Sequence, residues 1–284
     1  MGGARPPDHG TAMIRLGHID YSNCVPVHSR LLERVRPEGI QLVMGVPSEL
    51  NEALATGRID AAPCSSIEYA RHTSQYRLLR GLAIGSEGPV GSILLESAVP
   101  VEELDGREVW TPTASASSVV LLRILLERRF GVMPRYSWFH QADAGDPVGV
   151  HATAVLRIGD VALRRKVPAG RYVLDLGEAW TSWTGLPFAY AVWQVRSETP
   201  ADEVGRLHGI LLDSKSWYEA NARELAIRHA SRYGLEPDRL YAYWTSLRYD
   251  LDERMQAGLL RFFALATEVG EAPAVSRLEW FETG

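Results

Sequence analysis

The sequence predicts a bilobed α/β protein with a helical C-terminal part, and three observations carry that expectation. Short apolar segments alternate with helix-patterned ones from residue 14 to about 95. A second alternating run starts around the turn Asp105-Gly106. From Thr199 onward the chain reads as almost continuous helix. Strand–helix alternation implies a parallel sheet with right-handed crossovers. A second unit inserted in the first, with a return strand near residue 188, predicts two lobes and a ligand cleft between them.

The first lobe opens with a strand over 14–19, a helix over 27–34 and a second strand over 40–46. Ser48 is placed as the N-cap of a helix over 49–56, with Gly57 at its C-terminal stop. A third strand over 59–63 precedes a helix starting at Ser65 or Ser66. Then come a strand over 78–84, a glycine-rich loop over 85–91 and a strand over 92–95. The second lobe holds a strand over 108–111 and a long helix over 115–130 that ends at Gly131. Its apolar residues 121, 122, 125 and 126 form one face. Strands over 136–139 and 152–158, a short helix over 178–183 and the return strand over 188–195 follow. Thr199-Pro200 starts the helical part, Ser214 is placed as the cap of a helix over 215–233, and helices over 237–244 and 252–269 complete it. The expected partition is a disordered tail over 1–12, the first lobe over 13–95 and 188–284, and the second lobe over 96–187.

The bulk properties exclude several functions. The chain has 284 residues, of which 46% are hydrophobic, enough for more than one packed core. A net charge of −5 without any basic run argues against a nucleic-acid partner. Cys24 and Cys64 are the only cysteines, too few for a disulfide framework. No apolar run reaches the roughly 18 residues of a membrane helix, and the N-terminus has no apolar signal core. A cytoplasmic protein is expected.

The chemical motifs are sparse. The eight histidines show no H-x-x-x-H spacing and there is no C-x-x-C, so neither a metal nor a cofactor is expected. Gly85, Gly88 and Gly91 match neither the dinucleotide nor the Walker pattern, and a hinge or a close backbone approach suits them better. No G-x-S-x-G elbow exists. Asn23 lies on a loop directly after the first strand, where open α/β sheets place ligand chemistry. Ser115, Ser117 and Ser118 stand at the start of the long helix. They serve either as N-caps or as an anion site built on free N–H groups and the helix dipole. His18, at a strand end, reads as a hydrogen-bonded structural residue. Asp160 reads as an N-cap or a cleft-facing carboxylate. Glu68 and Glu87 have no obvious pairing, and no strong general base stands out. Trp180, Trp183 and Trp193 read as packing.

Five motifs in order resemble the chorismate dehydratase family of the futalosine route to menaquinone. They are G-H-I-x-x-x-N-C-x-P over 17–26, G-P-V-x-S over 88–92, the serine-rich helix start over 115–118, I-G-D-x-A-L over 158–163, and W-T-G-L-P-F-x-x-A-V-W over 183–193. The resemblance implies a type II periplasmic-binding-protein-like fold used as an enzyme. The implied reaction removes water from chorismate, a dianion, to give 3-[(1-carboxyvinyl)oxy]benzoate. It also implies that Asn23 and Ser92 are the polar active-site positions, that Ser115, Ser117 and Ser118 hold a substrate carboxylate, and that Asp160 lies near the cleft. Thr113-Ala114 departs from the Ser-Thr common in relatives, which leaves open which hydroxyls touch the ligand. A non-catalytic receptor or sensor on the same fold, and the sister enzyme forming dihydroxynaphthoate, are the competing readings.

Overall fold

Eleven strands among the described residues divide into two mixed sheets, and the chain visits the first sheet twice. The computed structural model describes residues 13–33, 38–141 and 152–282; the tail expected over 1–12 lies outside them. In the first sheet β1 (Ile14–Ile19) pairs in parallel with β2 (Ile40–Gly45) and β3 (Ala61–Ser65). β4 (Tyr76–Ser86), β10 (Phe188–Arg196) and the two-residue β11 (Leu247–Arg248) complete it in the order β11-β4-β10-β3-β1-β2. The second sheet has the order β7-β6-β8-β5-β9. Its strands are β5 (Ile93–Ser97), β6 (Glu108–Pro112), β7 (Arg135–Phe139), β8 (Ala154–Ile158) and β9 (Tyr172–Asp175).

The parallel pairing expected from the alternation over the first unit is found for β1 with β2 and β3, but the later strands make both sheets mixed. β10 returns from the second sheet and runs antiparallel to both β3 and β4, and β5 is antiparallel to β8 and β9. β5 also belongs to the second sheet, so the chain crosses over within residues 87–92, ahead of the crossing expected near 96.

Helices α1 (Val25–His28), α2 (Pro47–Ala55), α3 (Ser66–Arg71), α4 (Ala116–Ile124) and α5 (Gly159–Arg164) follow strands or their loops. α6 (Leu176–Thr184), α7 (Ala201–His229), α8 (Pro237–Ser246) and α9 (Glu253–Glu268) complete the set. The helix expected over 27–34 is instead three short pieces. A 3-10 turn at Ser22–Cys24 leads into α1, and a second turn at Ser29–Leu32 ends the run. Ser48 is not a cap, because Pro47 takes the first helical position and Glu49 reaches back to the Val46 N–H at 3.2 Å. Ser214 is not a cap either. It is buried inside α7, where its carbonyl accepts from Ser29 Oγ at 3.0 Å, and the helix breaks at Asn221, whose φ is −131°. The long helix beginning after Ser115 widens into a π-turn at Leu125–Arg129 before Gly131, at φ +68°, ends it.

Trp180 is fully buried between Phe188 and Phe262, and its indole N–H donates to the Pro187 carbonyl at 3.2 Å. Each phenylalanine buried there contributes roughly 2–3 kcal/mol. This aromatic knot joins α6, β10 and α9, and so fixes the return crossing at residues 185–187. No helix among the described residues is long and apolar enough to cross a membrane.

Candidate active site

A cavity of about 60 Å³, open at its mouth, lies where the two sheets face each other. Its walls are mostly apolar, with Ile19, Ile84, Val90, Ile93 and Ile158. Asn23, Ser92, Ser115 and Ser118 line this one cavity, together with Tyr243, Tyr190, Ser65 and Tyr21. Apolar walls carrying a few converging polar groups suit a small ligand that needs orienting.

The Asn23 loop is held from both sheets. Ser22, one residue before Asn23, donates its N–H to Asp160 at 3.0 Å and its hydroxyl to the other oxygen of the same carboxylate. The Ser22 carbonyl accepts from the Trp244 indole at 2.8 Å. Asp160 thus spans from α5 of the second sheet to the loop after β1, and it does not line the cavity. Asp160, expected to bind substrate, here accepts with both oxygens from the loop that carries Asn23. Gly159 has φ +60°, and a Cβ there would lie 3.2 Å from the Tyr21 ring, so the glycine of the G-D motif lets this loop approach.

Beneath the loop, His18, Cys24 and His28 gather with one ligating atom each within 4.8 Å of the others. Sequence spacing did not suggest this cluster. Its protonation opposes metal binding. The Trp193 indole N–H donates to His28 Nε2 at 3.1 Å, so neutral His28 carries its proton on Nδ1. That proton points at His18 Nδ1, 2.8 Å away. Burial holds His28 well below the ordinary histidine range and pushes the Cys24 thiol up to about 12. The cluster is a neutral hydrogen-bonded chain pinning α1 to β1, which agrees with the structural reading of His18.

Ser92 ends the glycine-rich loop. The carboxylate of Asp175 accepts from the N–H groups of Val90 at 3.0 Å and Gly91 at 2.7 Å, while also capping α6 through Gly177 and Glu178. The Gly88 N–H donates to Thr181 Oγ1 at 2.9 Å. The loop therefore wraps the start of α6 and is not a phosphate cradle. Gly159 N–H holds the Ser92 carbonyl at 2.8 Å, and the Tyr243 hydroxyl donates to Ser92 Oγ at 2.9 Å. Burial pushes the ionisation of the Tyr243 hydroxyl far above the ordinary phenol range.

The three helix-start serines part company. Ser115 occupies the N-cap position of α4, yet its side chain makes no capping bond; it donates to Ser118 Oγ at 2.8 Å instead. The first-turn amides of α4 therefore have no side-chain cap, and the Ser118 O–H remains a donor at the cavity wall. Ser117, expected to hold substrate, does not line the cavity. Its Oγ accepts the Ile67 N–H at 3.0 Å and pairs with Ser66 Oγ at 3.0 Å, while Ser66 donates to the Ala189 carbonyl at 2.7 Å. Ser117 is thus an N-cap for α3 supplied by another helix, and its single proton goes to Ser66 Oγ. Tyr243 and Tyr190, with Ser65 and Tyr21, are cavity residues that sequence reasoning missed, since none falls among the polar positions of the five motifs.

Two mixed sheets with a double crossover and a polar-tipped cavity between them define a binding-protein-type α/β fold. The likeness extends to solved structures. One from Archaeoglobus fulgidus has a TM-score of 0.76 and 19% identity over 92% of this chain and 99% of that one. The periplasmic aliphatic sulphonate-binding protein of Escherichia coli has a TM-score of 0.65 and 17% identity over 96% of this chain and 94% of that one. Residues 14–268 match the menaquinone biosynthesis family. A chorismate dehydratase of Thermus thermophilus is 32% identical over 87% of this chain and 93% of its own length. One of Campylobacter jejuni is 31% identical over 62% of this chain and 64% of its own. The chain belongs to the chorismate dehydratase family of menaquinone biosynthesis.

Proposed function

We propose that the protein is a carbon–oxygen lyase of the hydro-lyase type that removes water from chorismate to give 3-[(1-carboxyvinyl)oxy]benzoate. The observation that carries this reading is the meeting of Asn23 and Ser92, 69 positions apart by numbering (92 − 23), in one cavity with the uncapped start of α4. The uncapped amides and the Ser118 hydroxyl suit one substrate carboxylate, because N–H donors and the helix dipole favour an anion there. Asn23 and Ser92 then orient the ring and its C4 hydroxyl. The C3–H is vinylogous to the ring carboxylate, so hydrogen bonds to that carboxylate stabilise the charge that develops as the proton leaves. Among the described residues no aspartate, glutamate or histidine lines the cavity, so the enolpyruvyl carboxylate of the substrate is assigned the removal of the proton. Aromatisation then drives out the hydroxyl.

The elimination is redox-neutral and the reading invokes no cofactor. The two sheets act as the lobes that exclude water from the bound substrate. A cytoplasmic location without nucleic-acid or membrane partners belongs to the same reading, as for an enzyme of this biosynthetic family.

Incubation with chorismate, followed by mass and NMR analysis, is expected to give an aromatic product lighter by one water. Asn23→Ala and Ser92→Ala are each expected to lower kcat/KM about 10²- to 10³-fold. Chorismate binding without turnover would instead identify a receptor on the same fold.

A further inference from the structure

Helix α8 sends one pair of neighbouring side chains to the two sides of the site. Trp244 holds the Ser22 carbonyl beside Asn23, and Tyr243 donates to Ser92 Oγ at 2.9 Å. We infer that Tyr243 is a positioning residue that aims the Ser92 hydroxyl at the oxygen leaving the substrate. This inference rests on the dehydratase reading.

The argument is one of counting protons. A phenol has a single proton, and Tyr243 gives it to Ser92 Oγ. The phenol oxygen can then only accept from any further partner. Ser92 Oγ, having accepted, must turn its own proton elsewhere. Ser92 is 2% exposed and lines the cavity, so the acceptor that arrives there is the ligand. The pair Tyr243 to Ser92 therefore runs in one direction and ends on a donor. Hydrogen bonds in such a chain polarise one another, which strengthens the last donor.

The elimination balances without consuming this chain. The C3–H electron pair becomes the new ring π bond, and the C4–O pair departs with the hydroxyl oxygen. The proton taken from C3 by the substrate carboxylate ends on that oxygen, completing one water. Ser92 donates a hydrogen bond to the departing oxygen throughout, and Tyr243 and Ser92 keep their protons.

Tyr243→Phe removes only the phenolic oxygen. It is expected to lower kcat about 10- to 100-fold, with KM changed by less than about twofold. In a Ser92→Ala background the same substitution is expected to cost less than about twofold more, because the two hydroxyls act as one unit. An unchanged kcat, or losses that multiply in the double variant, overturns the inference. Site-specific 3,5-difluorotyrosine at position 243 keeps the ring shape and makes the phenol a stronger donor. It is expected to shift kcat at least about twofold without shifting KM, and no shift overturns the inference even if Tyr243→Phe folds poorly. A wild-type protein that yields no aromatic product removes the dehydratase reading and this inference together. An active wild type whose kcat Tyr243→Phe leaves unchanged removes this inference alone.

Discussion

Replacing Ser117 by alanine separates the two meanings that its place in the serine cluster allows. The hydroxyl caps α3 from another helix by accepting the Ile67 N–H at 3.0 Å, and it pairs with Ser66 at 3.0 Å. Losing the cap costs about 1 kcal/mol, and losing a buried hydroxyl hydrogen bond costs about 1 kcal/mol more. Ser66 still donates to the Ala189 carbonyl at 2.7 Å, so a single buried donor, the Ile67 N–H, is orphaned. A total near 2 kcal/mol corresponds to a fall in Tm of about 4–8 °C for a chain of this size. Thermal unfolding and steady-state chorismate kinetics, run on Ser117→Ala and Ser118→Ala side by side, test the assignment. Ser117→Ala is expected to lose stability and keep its KM. Ser118→Ala is expected to keep its Tm and raise KM about tenfold, the value of one hydrogen bond to a charged group. The reverse pattern, with wild-type Tm and a raised KM in Ser117→Ala, would refute the cap and return Ser117 to the substrate.

Three further expectations follow from neighbouring groups. Asp160→Ala leaves the Ser22 N–H and hydroxyl without their acceptor, so unfolding in urea is expected to show a loss of about 2–3 kcal/mol. Its kcat/KM is expected to fall with it because Asn23 is displaced; full activity would show that the loop does not need this anchor. Gly159→Ala combines φ +60° with a Cβ only 3.2 Å from the Tyr21 ring. It is expected to cost at least about 1–2 kcal/mol and to raise KM, since Tyr21 lines the cavity. His28 is buried neutral, its pKa held well below 6.5 by burial and then by His18. The unfolded chain binds a proton near 6.5 that the native state refuses, so the stability from this group is complete above that pH. It declines as pH falls below it, by up to about 1.4 kcal/mol per pH unit. Urea midpoints at pH 7.5, 6.5 and 5.5 are expected to decline in the wild type and to flatten in His28→Gln; equal slopes would place the effect elsewhere.

Much of the site was legible because its signals are local. A strand ending at Ile19 before a loop with Asn23, and Ser92 closing a glycine-rich loop, were both read from short-range pattern, and both residues line the cavity. Helix phase also separates the serines in principle. Ser115 and Ser118 are three positions apart and share a face, whereas Ser117 projects from another. That phase names the odd residue without saying what it meets, because α3 reaches Ser117 only through the packing of the two sheets. Tyr243 was illegible for the same reason. It lies on an ordinary amphipathic helix, and nothing near it in sequence points to Ser92 at a separation of 151 residues. The short strands β9 and β11 escaped notice because four and two residues are too few to show alternation.

The sequence by itself determined the family, the insertion of one α/β unit in another and the loop positions that carry polar chemistry. These depend on backbone propensity, turn residues and the order of motifs, which are local properties of the chain. Only the tertiary structure decided which polar groups line the cavity and which hold the others in place. Whether a hydroxyl or carboxylate has capacity left for a ligand depends on the donors and acceptors that packing brings to it. Asp160 and Ser117 are engaged by partners 138 and 50 positions away, while Ser92 accepts from Tyr243 across 151 positions.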